Sequence, residues 1–129
     1  MNLLIDTHIF IWLLVASSRL PDSVCAVLAN RRNTVYLSVA STWEMAIKVG
    51  VGKLDLPPNL QDWLPAELDA ADIRLLPIYL EHALGVETLP RHHRDPFDRL
   101  IVAQAILEGL TVVTADRTFG LYDVPILPA

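Results

Sequence analysis

Four carboxylates fall where chemistry is possible. Asp6 follows the apolar run Leu3, Leu4 and Ile5, and Asp116 follows the stretch Thr111 to Thr114. Acids placed just beyond strands of an open parallel sheet face the crevice in which such sheets bind ligands. Asp98, in the first turn of a helix opened by Asp95 and Pro96, and Glu44, early in an earlier helix, have access to the same crevice. Carboxylates crowded there repel and raise one another's pKa, so they need protons, basic partners or a divalent cation near neutrality. Oxygen-only ligation favours Mg²⁺ or Mn²⁺ over zinc. The lone Cys25 cannot build a zinc site, and His92 and His93 are adjacent, a poor spacing for a helical ligand pair.

A blander reading competes. Asp95 as N-cap, Pro96 at N1 and Asp98 at N3 are also what a helix start needs, and for Asp95 capping is preferred to metal contact. On residue types alone, a shared metal site and a set of unrelated caps and surface acids both stand. Thr114 can orient Asp116 or a water by its hydroxyl, or simply cap its strand. Arg99 and Arg117 each follow a candidate acid by one residue, to tether carboxylates or meet a phosphate. Lys48, four after Glu44, is spaced for a helical ion pair and can also extend toward a substrate. Arg91, His92, His93 and Arg94 form the one dense basic patch, able to guide a polyanion backbone toward the acids. Solvated surface charge is the alternative for each of these. His93 as a catalytic base is not needed by a metal mechanism. Trp12, Trp43 and Trp63 read as packing residues rather than a base-stacking platform.

The elements that must position these groups alternate. Leu3–Ile5 reads as a central strand buried on both faces. Helices are expected over His8–Ala16 and Pro21–Asn30, a strand over Thr34–Leu37, and a helix capped by Ser38 or Ser41 that ends near Gly50 and Gly52. Ser41 and Glu44 have capping-box spacing. A helix from Asn59 to Ala71, a strand over Ile73–Leu76 and one or two helical turns over Tyr79–Gly85 follow. The clearest helix runs from Asp95 to about Glu108 with Gly109 as its stop, before a strand over Thr111–Thr114 and a short one over Pro125–Leu127. Strands separated by helices of this length imply right-handed crossovers, hence an α/β fold with a mostly parallel sheet and helices on both faces.

Composition bounds the rest. A chain of 129 residues holds one core rather than two. With 53% apolar and 19% charged residues it can fill that core, which argues against disorder. A net charge of -5 argues against the whole molecule acting as a nonspecific polyanion binder. A single cysteine excludes an intramolecular disulfide framework and fits a reducing compartment. Neither Ile9–Ala16 nor Leu100–Val113 suits a membrane span or a leader. The mean hydropathy of +0.39 is high for a small soluble domain and points to apolar surface covered by a partner, oligomerisation first.

The segments LLIDTH, SVASTWEMAIKVGVGKL, HHRDPFDRLIVAQA and VVTADRTF together resemble the PIN-domain ribonucleases, specifically VapC-type toxins of bacterial toxin–antitoxin pairs. The likeness spans nearly the whole chain, which it implies is a single PIN domain over residues 1–129. It implies a five-stranded sheet in the order 3-2-1-4-5 within a three-layer fold. It places the family's acidic positions on Asp6, Glu44, Asp98 and Asp116, with Thr114 as the associated hydroxyl residue. The implied activity is Mg²⁺-dependent endoribonucleolytic cleavage, with Mn²⁺ as substitute, leaving a 5'-phosphate and a 3'-hydroxyl. Asp6, Asp98 and Asp116 are expected to hold one or two ions, with Glu44 joining directly or through water. Arg91, Arg94, Arg99, Arg117 and Lys48 are the candidate RNA contacts. The resemblance further implies a cytoplasmic homodimer neutralised by a cognate antitoxin. A phosphoacceptor receiver domain or a haloacid-dehalogenase-like phosphatase fits worse, because Thr7 and His8 follow Asp6 where those folds want a second acid. The stronger rival is a metal-free, non-catalytic interaction module of the same fold.

Overall fold

β1 (Asn2–Ile5) lies at the centre of the sheet because its side chains are apolar on both faces. Leu3 and Ile5 point into one core and Leu4 into the other. The computed structural model describes all 129 residues. β2 (Thr34–Ser38), β3 (Ile73–Leu76), β4 (Thr111–Thr114) and β5 (Ile126–Pro128) complete a parallel sheet in the order β3-β2-β1-β4-β5. Ile5 stands opposite Leu37 of β2 and Val113 of β4. The register therefore ends β1, β2 and β4 at one edge, with Asp6, Ser38 and Thr114 side by side along it.

Helices cover both faces. On the side of Leu3 and Ile5, α1 (Thr7–Leu14), α2 (Asp22–Ala29), α3 (Val39–Gly50) and α4 (Leu60–Ala70) pack Ile9, Phe10, Val24, Met45, Leu64 and Leu68 onto the sheet. On the other, α6 (Pro96–Glu108) packs Ile101, Val102 and Ala105 against Leu4, Val112, Phe119 and Tyr122. Ile101 and Val102 are fully buried, so each contributes about 1.5–3 kcal/mol of apolar transfer, and truncating Ile101 to Ala is expected to cost about 2–5 kcal/mol. α5 (Leu80–Gly85) and short 3₁₀ turns over Val86–Thr88 and Arg117–Leu121 complete the chain.

The helix ends follow their sequence signals with two exceptions. Gly109 stops α6 in the left-handed conformation, at φ 67°, that glycine adopts without penalty. Pro21 is the N-cap of α2 rather than part of its first turn. α3 starts directly after β2, capped by Ser38, whose Oγ accepts from the Ala40 amide at 3.0 Å. The Ser41–Glu44 capping box therefore does not form, since Ser41 lies inside the helix. Ser38 also donates its hydroxyl to Gln104, a fully buried residue of α6 whose amide nitrogen donates to Pro77 O at 3.1 Å. This satisfied buried link ties the start of α3, which carries Glu44, to α6, which carries Asp98.

Candidate active site and metal centre

The edge of the sheet delivers the acids. Asp6 continues the β1–β4 ladder by one bond, its amide donating to Val113 O at 3.1 Å, and then caps α1 by accepting the Ile9 amide on Oδ1 at 2.9 Å. Its other oxygen accepts the hydroxyl proton of Thr114. The same Thr114 Oγ1 accepts the amide of Asp116 at 3.0 Å, so one buried hydroxyl joins the strand-end acids of β1 and β4. Burial pushes the Asp6 carboxyl above its ordinary value, and the nearby Asp116 charge adds to the rise; the bonds from Thr114 and Ile9 only partly offset them.

Glu44 lies in the second turn of α3 and is 4% exposed. Thr7 Oγ1, from the first residue of α1, stands 2.8 Å from Glu44 Oε1 and 2.9 Å from Ser41 Oγ. Lys48 Nζ lies 2.6 Å from Glu44 Oε2, the ion pair that the four-residue spacing allows. Hydrogen bonding to Glu44 raises the Lys48 pKa.

α6 opens as its sequence demands. Asp95 accepts the Phe97 amide at 2.8 Å, Pro96 occupies the first turn, and Asp98 follows within it. Burial, then the charges of Asp95, Glu44 and Asp6, push Asp98 up to about 6, against a smaller opposing pull from His93. Asp116 caps the turn after β4, Oδ1 accepting the Thr118 amide at 2.9 Å. Desolvation of Asp116 is outweighed by hydrogen bonds from His93 and Thr118, which hold its pKa below the ordinary value. One ligand atom from each of Asp98, Asp116 and His93 lies within 4.8 Å of the others, a spacing that suits a single cation. No lysine or arginine forms an ion pair with Asp6, Asp98 or Asp116. Asp6 is buried and Asp98 half-buried, and His93 is the one basic side chain paired with any of the three acids, so the cluster keeps a surplus of negative charge that fits a divalent cation, and its oxygen donors fit a hard one.

The remaining candidates divide. Arg91, Arg94 and Arg117 are exposed. Arg99 instead donates to the backbone carbonyls of Val86, Leu89 and Pro90 at 3.0–3.4 Å, bracing the loop that leads into α6. Trp43 does not pack against the sheet. It is 57% exposed and meets Phe97 edge-on. Residue spacing puts His93 in the basic patch but does not show its partners, which lie across the fold: Nε2 stands 2.8 Å from Asp116 Oδ2, and Nδ1 stands 3.0 Å from the Tyr122 hydroxyl. Thr7 was equally invisible, since nothing local marks a hydroxyl that meets an acid from another helix.

Comparison with known proteins bears on this arrangement. The family model described as "PIN domain" matches residues 3–125. The chain belongs to the PIN-domain family. The PIN fold of this chain is structurally close to toxins of VapBC type. VapBC2 from Rickettsia felis, bound to a promoter DNA fragment, superposes with a TM-score of 0.74 at 21% identity, covering 100% of this chain and 99% of that one. VapBC-1 from nontypeable Haemophilus influenzae gives 0.70 at 18% identity, covering 99% and 98%. DNA-bound VapBC from Salmonella typhimurium gives 0.69 at 16% identity, with the same coverage. A search of curated proteins gives no match. The PIN domain thus carries a His and Asp cluster compatible with metal coordination at its strand-end edge.

Proposed function

We propose that this PIN domain is a Mg²⁺-dependent endoribonuclease, with Mn²⁺ as an effective substitute, that hydrolyses RNA phosphodiester bonds and acts as a growth-inhibiting toxin. The observation that carries the reading is the convergence of acids at the strand-end edge, where Asp98 and Asp116 offer ligand atoms within 4.8 Å of each other and neither is ion-paired with a lysine or arginine. A site that gathers more acids than basic partners at a ligand-binding edge is built for a cation. Asp6, Asp98 and Asp116 would hold it, with Glu44 completing the shell directly or through water. When bound, such a cation supplies Lewis-acid charge at the scissile phosphodiester and acidifies water.

The chain's own residues do the positioning. Thr114 and the Ile9 amide fix the rotamer of Asp6, and the Thr118 amide fixes Asp116. Thr7 and Lys48 hold the buried Glu44, and Lys48 is partly exposed and free to share its charge with a phosphate. Arg91 and Arg94, on the loop before α6, and Arg117, directly after Asp116, supply phosphate contacts that draw an RNA backbone to the acids despite the net charge of -5.

Regulation by a cognate antitoxin is part of the same reading, supported by structural relatives that are VapBC assemblies. A groove of about 870 Å³ between α1, α2 and α4 has an apolar floor of Leu13, Leu14 and Leu28 and a charged margin of Arg31, Glu67 and Asp69, and exposed Trp43, Ile47 and Val51 mark a separate apolar surface. Such surfaces suit an antitoxin and a second copy in a cytoplasmic homodimer. No helix is long and apolar enough to cross a membrane.

The test is transcriptome-wide mapping of cleavage ends with purified wild type and Asp6→Asn, first with Mg²⁺ and then with chelator. The reading predicts 5'-phosphate ends that appear only with wild type and metal. Cyclic-phosphate ends, or equal cleavage by Asp6→Asn, would refute it.

A further inference from the structure

His93 and Tyr122 lie outside the acidic quartet, yet the geometry ties them to one of its members. The Tyr122 hydroxyl oxygen accepts the backbone amide of His93 at 2.9 Å and stands 3.0 Å from His93 Nδ1. Ionised Asp116 can only accept, so the contact at Nε2 calls for a proton on that nitrogen, and in the neutral ring Nδ1 is then the acceptor of the Tyr122 hydroxyl proton. Nε2 points at Asp116 Oδ2 from 2.8 Å. The ring is held against rotation, stacked on Tyr122 at an interplanar angle of 4° and packed at 4.7 Å from Phe119. Its side chain is 8% exposed while that of Asp116 is 43% exposed.

We propose that Tyr122 and His93 form a relay of hydrogen bonds that pre-orients Asp116 for a divalent cation, with His93 a positioning residue and not a ligand. The inference rests on the metal-nuclease reading of the site. A nitrogen that carries a proton cannot ligate a cation, whereas one that donates to a ligating carboxylate fixes its direction. Asp116 needs this help more than Asp6. Asp6 is buried and held by Thr114 and the Ile9 amide, whereas Asp116 lies on an exposed turn where, without His93, its side-chain bonds come from Thr118 alone, two residues along the same turn. Each carboxylate oxygen retains lone-pair capacity beside its existing bond, so the His93 contact and a cation are compatible.

The test is Mn²⁺ titration of the full chain, followed by electron paramagnetic resonance, for wild type, His93→Ala, His93→Gln, Tyr122→Phe and Asp116→Asn, with thermal unfolding of each. Loss of the donor in His93→Ala is expected to weaken Mn²⁺ binding roughly 10- to 100-fold. His93→Gln, whose amide nitrogen can reach the Nε2 position, should restore most of it. Tyr122→Phe should give an intermediate loss, and nitrogen NMR of the metal-free wild type should show the Nε2-protonated tautomer of His93. Wild-type affinity in a folded His93→Ala would overturn the proposal, as would a directly bound histidine nitrogen in the Mn²⁺ spectrum or an Nδ1-protonated tautomer. If His93→Ala does not fold, the tautomer and the Tyr122→Phe affinity decide. Binding that is lost in Asp116→Asn but unmoved in His93→Ala defeats this inference alone, whereas no Mn²⁺ binding by wild type defeats the metal-nuclease reading with it.

Discussion

Thr114 donates its hydroxyl proton to Asp6 while accepting the amide of Asp116, so two acids 110 residues apart in sequence are coupled through one side chain on β4. Thr114→Val keeps the shape and removes both roles. It leaves a buried carboxylate oxygen and an amide without partners, and it should destabilise the fold by about 1–3 kcal/mol. Thr114→Ser should recover most of that loss. Chemical denaturation checks it, and an unchanged midpoint in Thr114→Val would show that the hydroxyl is dispensable.

Asp6→Asn should separate catalysis from folding. Asn caps helices about as well as Asp, so α1 keeps its start, while the charge that burial opposes is gone. Metal-dependent hydrolysis should fall by roughly 100-fold or more, with a melting temperature of the metal-free protein equal to or above wild type. A cleavage assay and a thermal scan on the same preparation measure both.

Asp98 contributes a pH dependence, in the same direction as Asp6. In the unfolded chain it ionises near its ordinary value of 3.8, but in the folded protein only near about 6. Between those values the folded state binds more protons, so stability is greatest at the acid end of the window and is lost as pH rises through it. A cation competes with the same proton. Mn²⁺ affinity should therefore climb by up to about tenfold per pH unit below about pH 6 and level off above it. Calorimetric titrations at several pH values check this, and a flat profile would contradict it. Asp98→Asn should raise metal-free stability near neutrality by on the order of 1 kcal/mol, the full shift being discounted for solvent screening.

The strand skeleton and the helix over Pro96–Glu108 were legible because each carries local signals: continuous apolar runs, Asp95 with Pro96 at a helix start, and Gly109 at its end. Local pattern cannot choose between caps of equal chemistry, so Ser38 rather than Ser41 starts α3, and Glu44 ends in its second turn. The contacts that define the site were the least legible. Thr7 to Glu44, Thr114 to Asp6 and His93 to Asp116 each join segments far apart in sequence, the second set by the β1–β4 register and the others by how helices and loops pack around it. Arg99 shows the converse, since adjacency to Asp98 says nothing of the loop carbonyls it meets.

Arg91 and Arg94 are exposed beside the start of α6. Replacing both with Ala should weaken RNA binding and make its salt dependence shallower, by roughly 0.7 in log–log slope per lost phosphate contact on single strands. Fluorescence anisotropy across a salt series reads both quantities. Unchanged affinity and slope would reduce the patch to solvated surface.

The most direct measurement is an anomalous difference map from crystals grown with Mn²⁺. The account predicts a peak bounded by the carboxylates of Asp6, Asp98 and Asp116, with Glu44 within direct or water-mediated reach. Full occupancy by manganese at another location, with these carboxylates bare, would contradict it.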